Sequence, residues 1–222
     1  MKKLLFWALV FAVAAGLSAQ NVTVREVPEI EYARDAGAWS FTGPRLSQED
    51  EGARLAKVNL GVQQEGEMLY EFNVRYEGGA EDGHGGVGIH ILGDSRIDRA
   101  SWGSGKSYLL WLNYDEHPIS SDIPAGLSAQ VYQSTTHSQM TLLHSMDLND
   151  YLWYLDDEAL SESIPFRILV NCDTGEVRVY DPTEDLDSVY FVFNIDKSDL
   201  PLKGDWVALR TNGVKASFAL GL

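Results

Sequence analysis

Residues 68–76, "MLYEFNVRY", alternate strictly: Met68, Tyr70, Phe72, Val74 and Tyr76 fall on one side, and Leu69, Glu71, Asn73 and Arg75 on the other. A two-residue period marks a half-buried β-strand. The same spacing, punctuated by Gly, Pro, Asn and Asp, recurs along the chain. It predicts strands at 53–60, 68–76, 87–92, 108–114, 127–134, 139–144, 165–171, 176–181, 189–195, 205–211 and 216–220. "NCDTGEV" places Gly175 at one hairpin turn, and "RTNGVKA" places Asn212 and Gly213 at another. One stretch changes period. In "LNDYLWYLDDEAL", Leu148, Tyr151, Leu152 and Leu155 recur at helical spacing, with Asp147 placed to cap a short helix. Many strands, short turns and one short helix predict an all-β fold, a two-sheet antiparallel sandwich. It forms a single domain over 38–222, preceded by an N-terminal extension at 20–37.

The first 19 residues follow a different rule. Lys2 and Lys3 precede an apolar run from Leu4 to Ala15 and the small-residue stretch "GLSAQ". That is the order of a secretory signal peptide spanning 1–19, cleaved after Ala19. The run is shorter than the roughly 20 residues a permanent membrane span needs, so no membrane insertion is expected after cleavage. A lipoprotein would carry a cysteine after the small residues, where this chain has Gln20. A periplasmic or extracellular location follows.

Composition narrows the partners. The 222 residues carry a formal charge of −16, which becomes −18 when Lys2 and Lys3 leave with the signal. Nucleic acids and anionic membranes are themselves polyanions, so neither is an expected partner. The lone cysteine, Cys172, excludes an intramolecular disulfide. Its place beside a turn, within alternating "FRILVNC", predicts a small buried or half-buried residue and not a reactive thiol.

If strands 68–76, 87–92 and 108–114 are neighbours in a meander, their polar sides share one face. Glu71, Asn73 and Arg75 then join His90, Trp111, Asn113 and Asp115. An indole beside amides and acids is one way to hold a sugar: the flat ring stacks while polar groups exchange hydrogen bonds around it. The same residues also suit the wet face of an ordinary half-exposed sheet.

"YEFNVRYEGG…GGVGIHILGD" resembles the paired strands of the concanavalin A-like lectin and glucanase superfamily. "PFRILVNCDTGEVRVYDP" is similar to its late hairpin, and "GDWVALRTNGVKASFALGL" to its closing strands. The resemblance covers most of 38–222 and implies a jelly roll whose concave sheet face is the polar face just described. It also exposes a departure. The family's glucanases carry a Glu-x-Asp-x-Glu or Glu-x-Asp-x-x-Glu strand, and retention needs two carboxyl groups about 5–5.5 Å apart. In "SYLLWLNYDEHP" that place holds Trp111, Asn113, and Asp115 or Glu116. Trp cannot attack an anomeric carbon and Asn cannot shuttle a proton, so the family's catalytic strand is not retained.

Other chemistry leaves fainter marks. The five histidines lack zinc-ligand spacing, and no metal site or catalytic residue is assigned. Cofactors are expected to be none; Glu81 and Asp82 in "AEDGHGG" are oxygen ligands on a loop of the kind with which relatives in the resembled superfamily hold calcium, and as readily an ordinary turn. The function expected is that of an exported non-catalytic binding module, recognising a glycan or a protein on the concave face. The alternative is a structural component of a periplasmic or envelope assembly with an envelope protein as partner. In that respect "LSAQ" and the plain layout resemble spirochaete periplasmic proteins, including flagellar outer-layer proteins. A third is a glycoside hydrolase with Glu71 and Asp115 as a non-standard carboxylate pair.

Overall fold

The computed structural model describes residues 30–31, 36–151, 162–182 and 186–220. Fourteen antiparallel strands build two sheets among the described residues. The strands are β1 (Ile30–Glu31), β2 (Trp39–Thr42), β3 (Arg45–Gln48), β4 (Ala56–Gln64), β5 (Glu67–Gly79), β6 (His84–Gly93) and β7 (Ser107–Asp115). They continue as β8 (Gly126–Ser134), β9 (Met140–Asp147), β10 (Ile164–Asn171), β11 (Glu176–Tyr180), β12 (Val189–Asn194), β13 (Gly204–Asn212) and β14 (Val214–Leu220). The first sheet runs β1-β4-β13-β6-β7-β8-β9, and the second β12-β11-β10-β5-β14-β3-β2.

Every strand expected from alternation is present, within a few residues at its ends. Three short ones were not expected: β1, β2 and β3. β1 lies inside the 20–37 extension and pairs with β4 through Ile30 and Glu31. The expected helix lies mostly outside the described residues. Only a single 3-10 turn, Asn149–Tyr151, is seen there, and the Asp147 carboxylate accepts the Asn149 backbone N–H at 2.8 Å.

The core fills the space between the sheets because each sheet turns one alternating row of side chains inward. Tyr70, Phe72 and Val74 of β5 and Ile168 and Val170 of β10 face Leu60, Ile89, Ile91 and Leu209 of the first sheet. Phe72 stacks on Phe166 with centroids 5.3 Å apart. Cys172 is buried in this core, as its position beside the turn predicted. Two polar groups are admitted as a unit: Gln64 Oε1 accepts both the Tyr70 hydroxyl at 2.8 Å and the Leu92 backbone N–H at 2.7 Å. Between the sheets an apolar gap is lined by Phe72, Val74, Leu112 and Phe166, and by Leu148 and Ile164 on either side of 152–161. No described helix is long and apolar enough to cross a membrane.

The chain changes sheets at two corners that were expected to behave otherwise. β13 and β14 do not form a hairpin at Asn212–Gly213; β13 belongs to the first sheet and β14 to the second. Likewise β5 and β6 are not neighbours, because the chain crosses from the second sheet to the first between them. The two corners touch: the Ala80 N–H donates to Gly213 O at 2.8 Å. A Cβ on Gly79 (φ +102°) would lie 2.6 Å from that same oxygen, so the crossing needs glycine there. By contrast Gly175 does close the β10–β11 hairpin.

Candidate functional site

The crossing between β5 and β6 divides the seven residues expected on one face. Glu71, Asn73 and Arg75 lie on the outer face of the second sheet, and each has a local partner. Arg167 donates to Glu71 at 2.8 Å, Arg45 to Asn73 at 2.6 Å, and Arg75 pairs with Glu77 at 2.7 Å. His90, Trp111, Asn113 and Asp115 belong to the first sheet. The assumed meander was wrong by one strand: β13, not β5, sits beside β6. Glu71 and Asp115 therefore lie on different sheets, and the carboxylate pair considered for hydrolysis does not form. Asp115 stands at the end of β7, 3.3 Å from His84 Nδ1. In the loop considered for calcium, Asp82 is held in an ion pair by Arg54.

On the first sheet the face turned away from the core is crossed by two rows of directly opposed residues. One runs Lys57, Arg210, Gly88, Trp111, Gln130, Ser145, from β4 through β13, β6, β7 and β8 to β9. The other runs Asn59, Ala208, His90, Leu109, Tyr132, Leu142. Alternation inside each strand explains the placement: Val58, Leu60, Val207, Leu209, Ile89 and Ile91 face the core, so their neighbours must face away.

From β4 across to β8 this face is closed to solvent. The connection between β6 and β7, residues 94–106, folds back over it as a strap. Its base is closed by the Asp94 N–H donating to Lys106 O and the Lys106 N–H to Asp94 Oδ1, both at 3.0 Å. Lys57 Nζ donates to Ser101 Oγ at 3.0 Å and to Gly103 O at 2.9 Å. Asn59 Nδ2 donates to Ile97 O at 2.9 Å, and Arg210 Nη1 to Trp102 O. The far end is tied down by the Gly103 N–H to His137 O and the Ser104 N–H to Ser134 Oγ, each at 2.9 Å.

Beneath the strap Trp111 lies flat along β6. The sequence "GGVGIH" permits this, since Gly86 and Gly88 carry no side chain under the indole. A Cβ at either would stand 2.4 or 2.8 Å from ring atoms. The indole N–H donates to Asn113 Oδ1 at 3.0 Å. The Arg210 guanidinium is stacked by two indoles, 5.1 Å from the Trp102 centroid and 5.4 Å from that of Trp111. Trp102 meets Tyr132 edge-on at 6.3 Å, and Tyr132, Gln130 and Ser128 form a hydrogen-bonded ladder along β8. His90 Nδ1 lies 3.1 Å from Ser107 Oγ.

The electrostatics of this face are unusual. Lys57 is 0% exposed and Arg210 1%, yet among the described residues no Asp or Glu is buried. Burial, reinforced by Arg210, pulls the Lys57 ammonium down to about 7. Burial draws Arg210 down to about 10. His90 is held well below the usual imidazole range by burial and then by the Arg210 and Lys57 charges. Among the described residues four buried side-chain atoms on this face have no hydrogen-bond partner: Asn59 Oδ1, His90 Nε2, Arg210 Nε and, at the β9 end, Ser145 Oγ. Sequence reasoning singled out His90, Trp111 and Asn113 but missed Lys57, Asn59, Trp102 and Arg210. The available signal was a cation at an alternating position inside each of two apolar strands, "LAKVNLGV" and "WVALRTN".

A scan of known protein families finds no match, nor does a search of characterised proteins. Solved structures do resemble the chain. A protein of unknown function with galectin-like fold from Bacillus subtilis superposes with a TM-score of 0.50 at 13% identity, covering 83% of this chain and 84% of that one. The CBM2 module of the evolved Dit of Lactobacillus casei BL23 phage J-1 gives 0.48 at 12%, covering 85% and 81%. The lectin from Bauhinia forficata in complex with GalNAc gives 0.45 at 11%, covering 88% and 94%. The fold is an all-β, galectin-like sandwich of two antiparallel sheets.

Proposed function

We propose that this chain is an exported, non-catalytic binding module of concanavalin A-like type that recognises a glycan on the strap-covered face of the first sheet. One observation carries the reading: Trp111 and the amides of Asn113 and Gln130 line that face. An indole plane with amides around it is the chemistry of sugar recognition, without a pair of carboxylates to cut the bond. Export rests on Lys2, Lys3, the apolar run 4–15 and "GLSAQ". The test is titration of the mature chain by calorimetry with a panel of soluble neutral and acidic glycans, beside Trp111→Phe. Saturable binding to at least one glycan, weakened about tenfold or more in the variant, is expected. No heat with any glycan overturns the reading.

A second reading, a subunit of a periplasmic or envelope assembly, is favoured by β12. It pairs with β11 on one side and, among the described residues, forms the edge of the second sheet. Its Val189 and Val192 are 41% and 50% exposed, and such an edge can add a strand from a partner. Cross-linking in the native envelope, followed by sedimentation, separates this reading from the first: a subunit travels with a large assembly, whereas a free binding module does not.

A further inference from the structure

Two cations buried side by side with no buried carboxylate among the described residues need an explanation, since a buried unpaired charge costs several kcal/mol. What Lys57 and Arg210 receive instead is neutral: Ser101 Oγ, Gly103 O and Trp102 O, all from the strap. Beside them Ala208 stands directly between Asn59 and His90 and contributes only a methyl group to the face. Three of the four unpartnered atoms on this face belong to the residues around that alanine, Asn59, His90 and Arg210, each 1% exposed; the fourth, Ser145 Oγ, lies apart on β9. Arg210 Nε can only donate. Asn59 Oδ1 can only accept, because its Nδ2 is committed to Ile97 O. His90 Nε2 takes either role, according to what Nδ1 does with Ser107 Oγ.

This combination selects among ligands. A bare anion satisfies Arg210 and Lys57 but repels Asn59 Oδ1. A neutral sugar satisfies Asn59 but leaves both cations without a charge. A group with an acidic oxygen next to a hydroxyl satisfies all of them. We propose that the face beneath the strap is the binding site of an acidic sugar. The carboxylate of a uronate replaces the strap oxygens on Lys57 and Arg210, and a neighbouring hydroxyl donates to Asn59 Oδ1. This rests on the glycan reading above and narrows it to one ligand class.

The exchange is favourable on physical grounds, because a hydrogen bond to a carboxylate is roughly twice as strong as one to a neutral carbonyl. It also gives the strap a role. Its oxygens occupy the carboxylate's place in the free protein, and Lys57 and Arg210 hold either the strap or the carboxylate, while Asn59 keeps Ile97 O on Nδ2 and meets the sugar through Oδ1. The strap's other ties, Gly103 to His137 O and Ser104 to Ser134 Oγ, report whether it has been displaced.

The test uses the mature chain with glucuronate, acetate and glucose at fixed ionic strength. Glucuronate is expected to raise the Tm saturably, by several degrees at about 100 times its Kd. Acetate should give less and glucose nothing. At the same time the amides of residues 101–104 should exchange faster with deuterium, although the protein as a whole has become more stable. Lys57→Met should lose the glucuronate shift. Trp102→Ala, which loosens the strap without touching Lys57, should bind about threefold tighter or more, since less free energy is spent on displacing it. If Lys57→Met does not fold, the wild-type exchange pattern and Trp102→Ala decide. Slower exchange across the strap, an equal response to acetate, or no response at all overturns the proposal. A neutral oligosaccharide that binds while glucuronate does not would sink this inference and leave the glycan reading standing; silence from every sugar would sink both.

Discussion

Lys57 of β4 and Arg210 of β13 are directly opposed across neighbouring strands, both buried, and each donates to the same strap of residues 94–106. Like charges placed opposite each other in a sheet repel, and here water does not screen them. Two indoles stack on Arg210, and burial together with that arginine pulls Lys57 down to about 7.

The depressed lysine makes stability depend on pH with a definite sign. An unfolded lysine titrates near 10.5, the folded Lys57 near 7. Between these values the unfolded chain holds a proton that the folded chain has given up, so stability rises with pH across that window. Below 7 both states are charged and the penalty is fully present. Lys57→Met removes the term. The wild type should therefore gain on the variant from pH 6 to pH 10 by on the order of 3 kcal/mol, measured by urea unfolding of the two proteins in parallel. A constant difference across that range would show that Lys57 is not titrating in it.

Gly88→Ala tests the bed on which Trp111 lies. The added Cβ would stand 2.3 Å from Leu110 O and 2.8 Å from the indole, and neither can give way easily. A loss of about 1–3 kcal/mol is expected, with a red-shifted tryptophan emission as the ring lifts. An unchanged midpoint in chemical denaturation would contradict this packing.

Gln64→Leu tests the polar group inside the core. Its Oε1 accepts from both the Tyr70 hydroxyl and the Leu92 N–H, so the substitution strands two buried donors. The expected cost is about 2–4 kcal/mol. Combining it with Tyr70→Phe should recover part of that loss, because one stranded donor disappears. If the double variant is no better than the single, the Tyr70 bond contributes nothing.

Cys172 should be inert while the protein is folded. It is fully buried, and burial, with Asp173 and Glu65 nearby, pushes its thiol up. A thiol reagent at pH 8 should label it at the rate of global unfolding and become fast in denaturant. Rapid labelling of the native chain would place the side chain elsewhere.

The strands and their inward and outward sides were legible in the chain itself. A half-buried strand must alternate, and "MLYEFNVRY" or "VNLGV" can hide only one row of its side chains. Gly175 was legible as a turn for the same local reason. β2 and β3 were harder, since four residues each on either side of Gly43–Pro44 give too few periods to separate from loop. What no local pattern contained was which strands become neighbours. The turns after Gly79 and Asn212 have the composition of hairpins, yet both carry the chain from one sheet to the other. The choice depends on how far two glycines let their backbones approach, and that is a contact between residues more than a hundred positions apart. It moved Glu71, Asn73 and Arg75 off the face of Trp111 and put Lys57 and Arg210 onto it. The sequence alone determined that the protein is an alternating β-chain with an acidic composition, because those are properties of neighbouring residues and of sums. Only the tertiary structure decided that two of its few cations would be buried together under a strap, because burial is decided by what folds over a residue and not by what stands beside it in the chain.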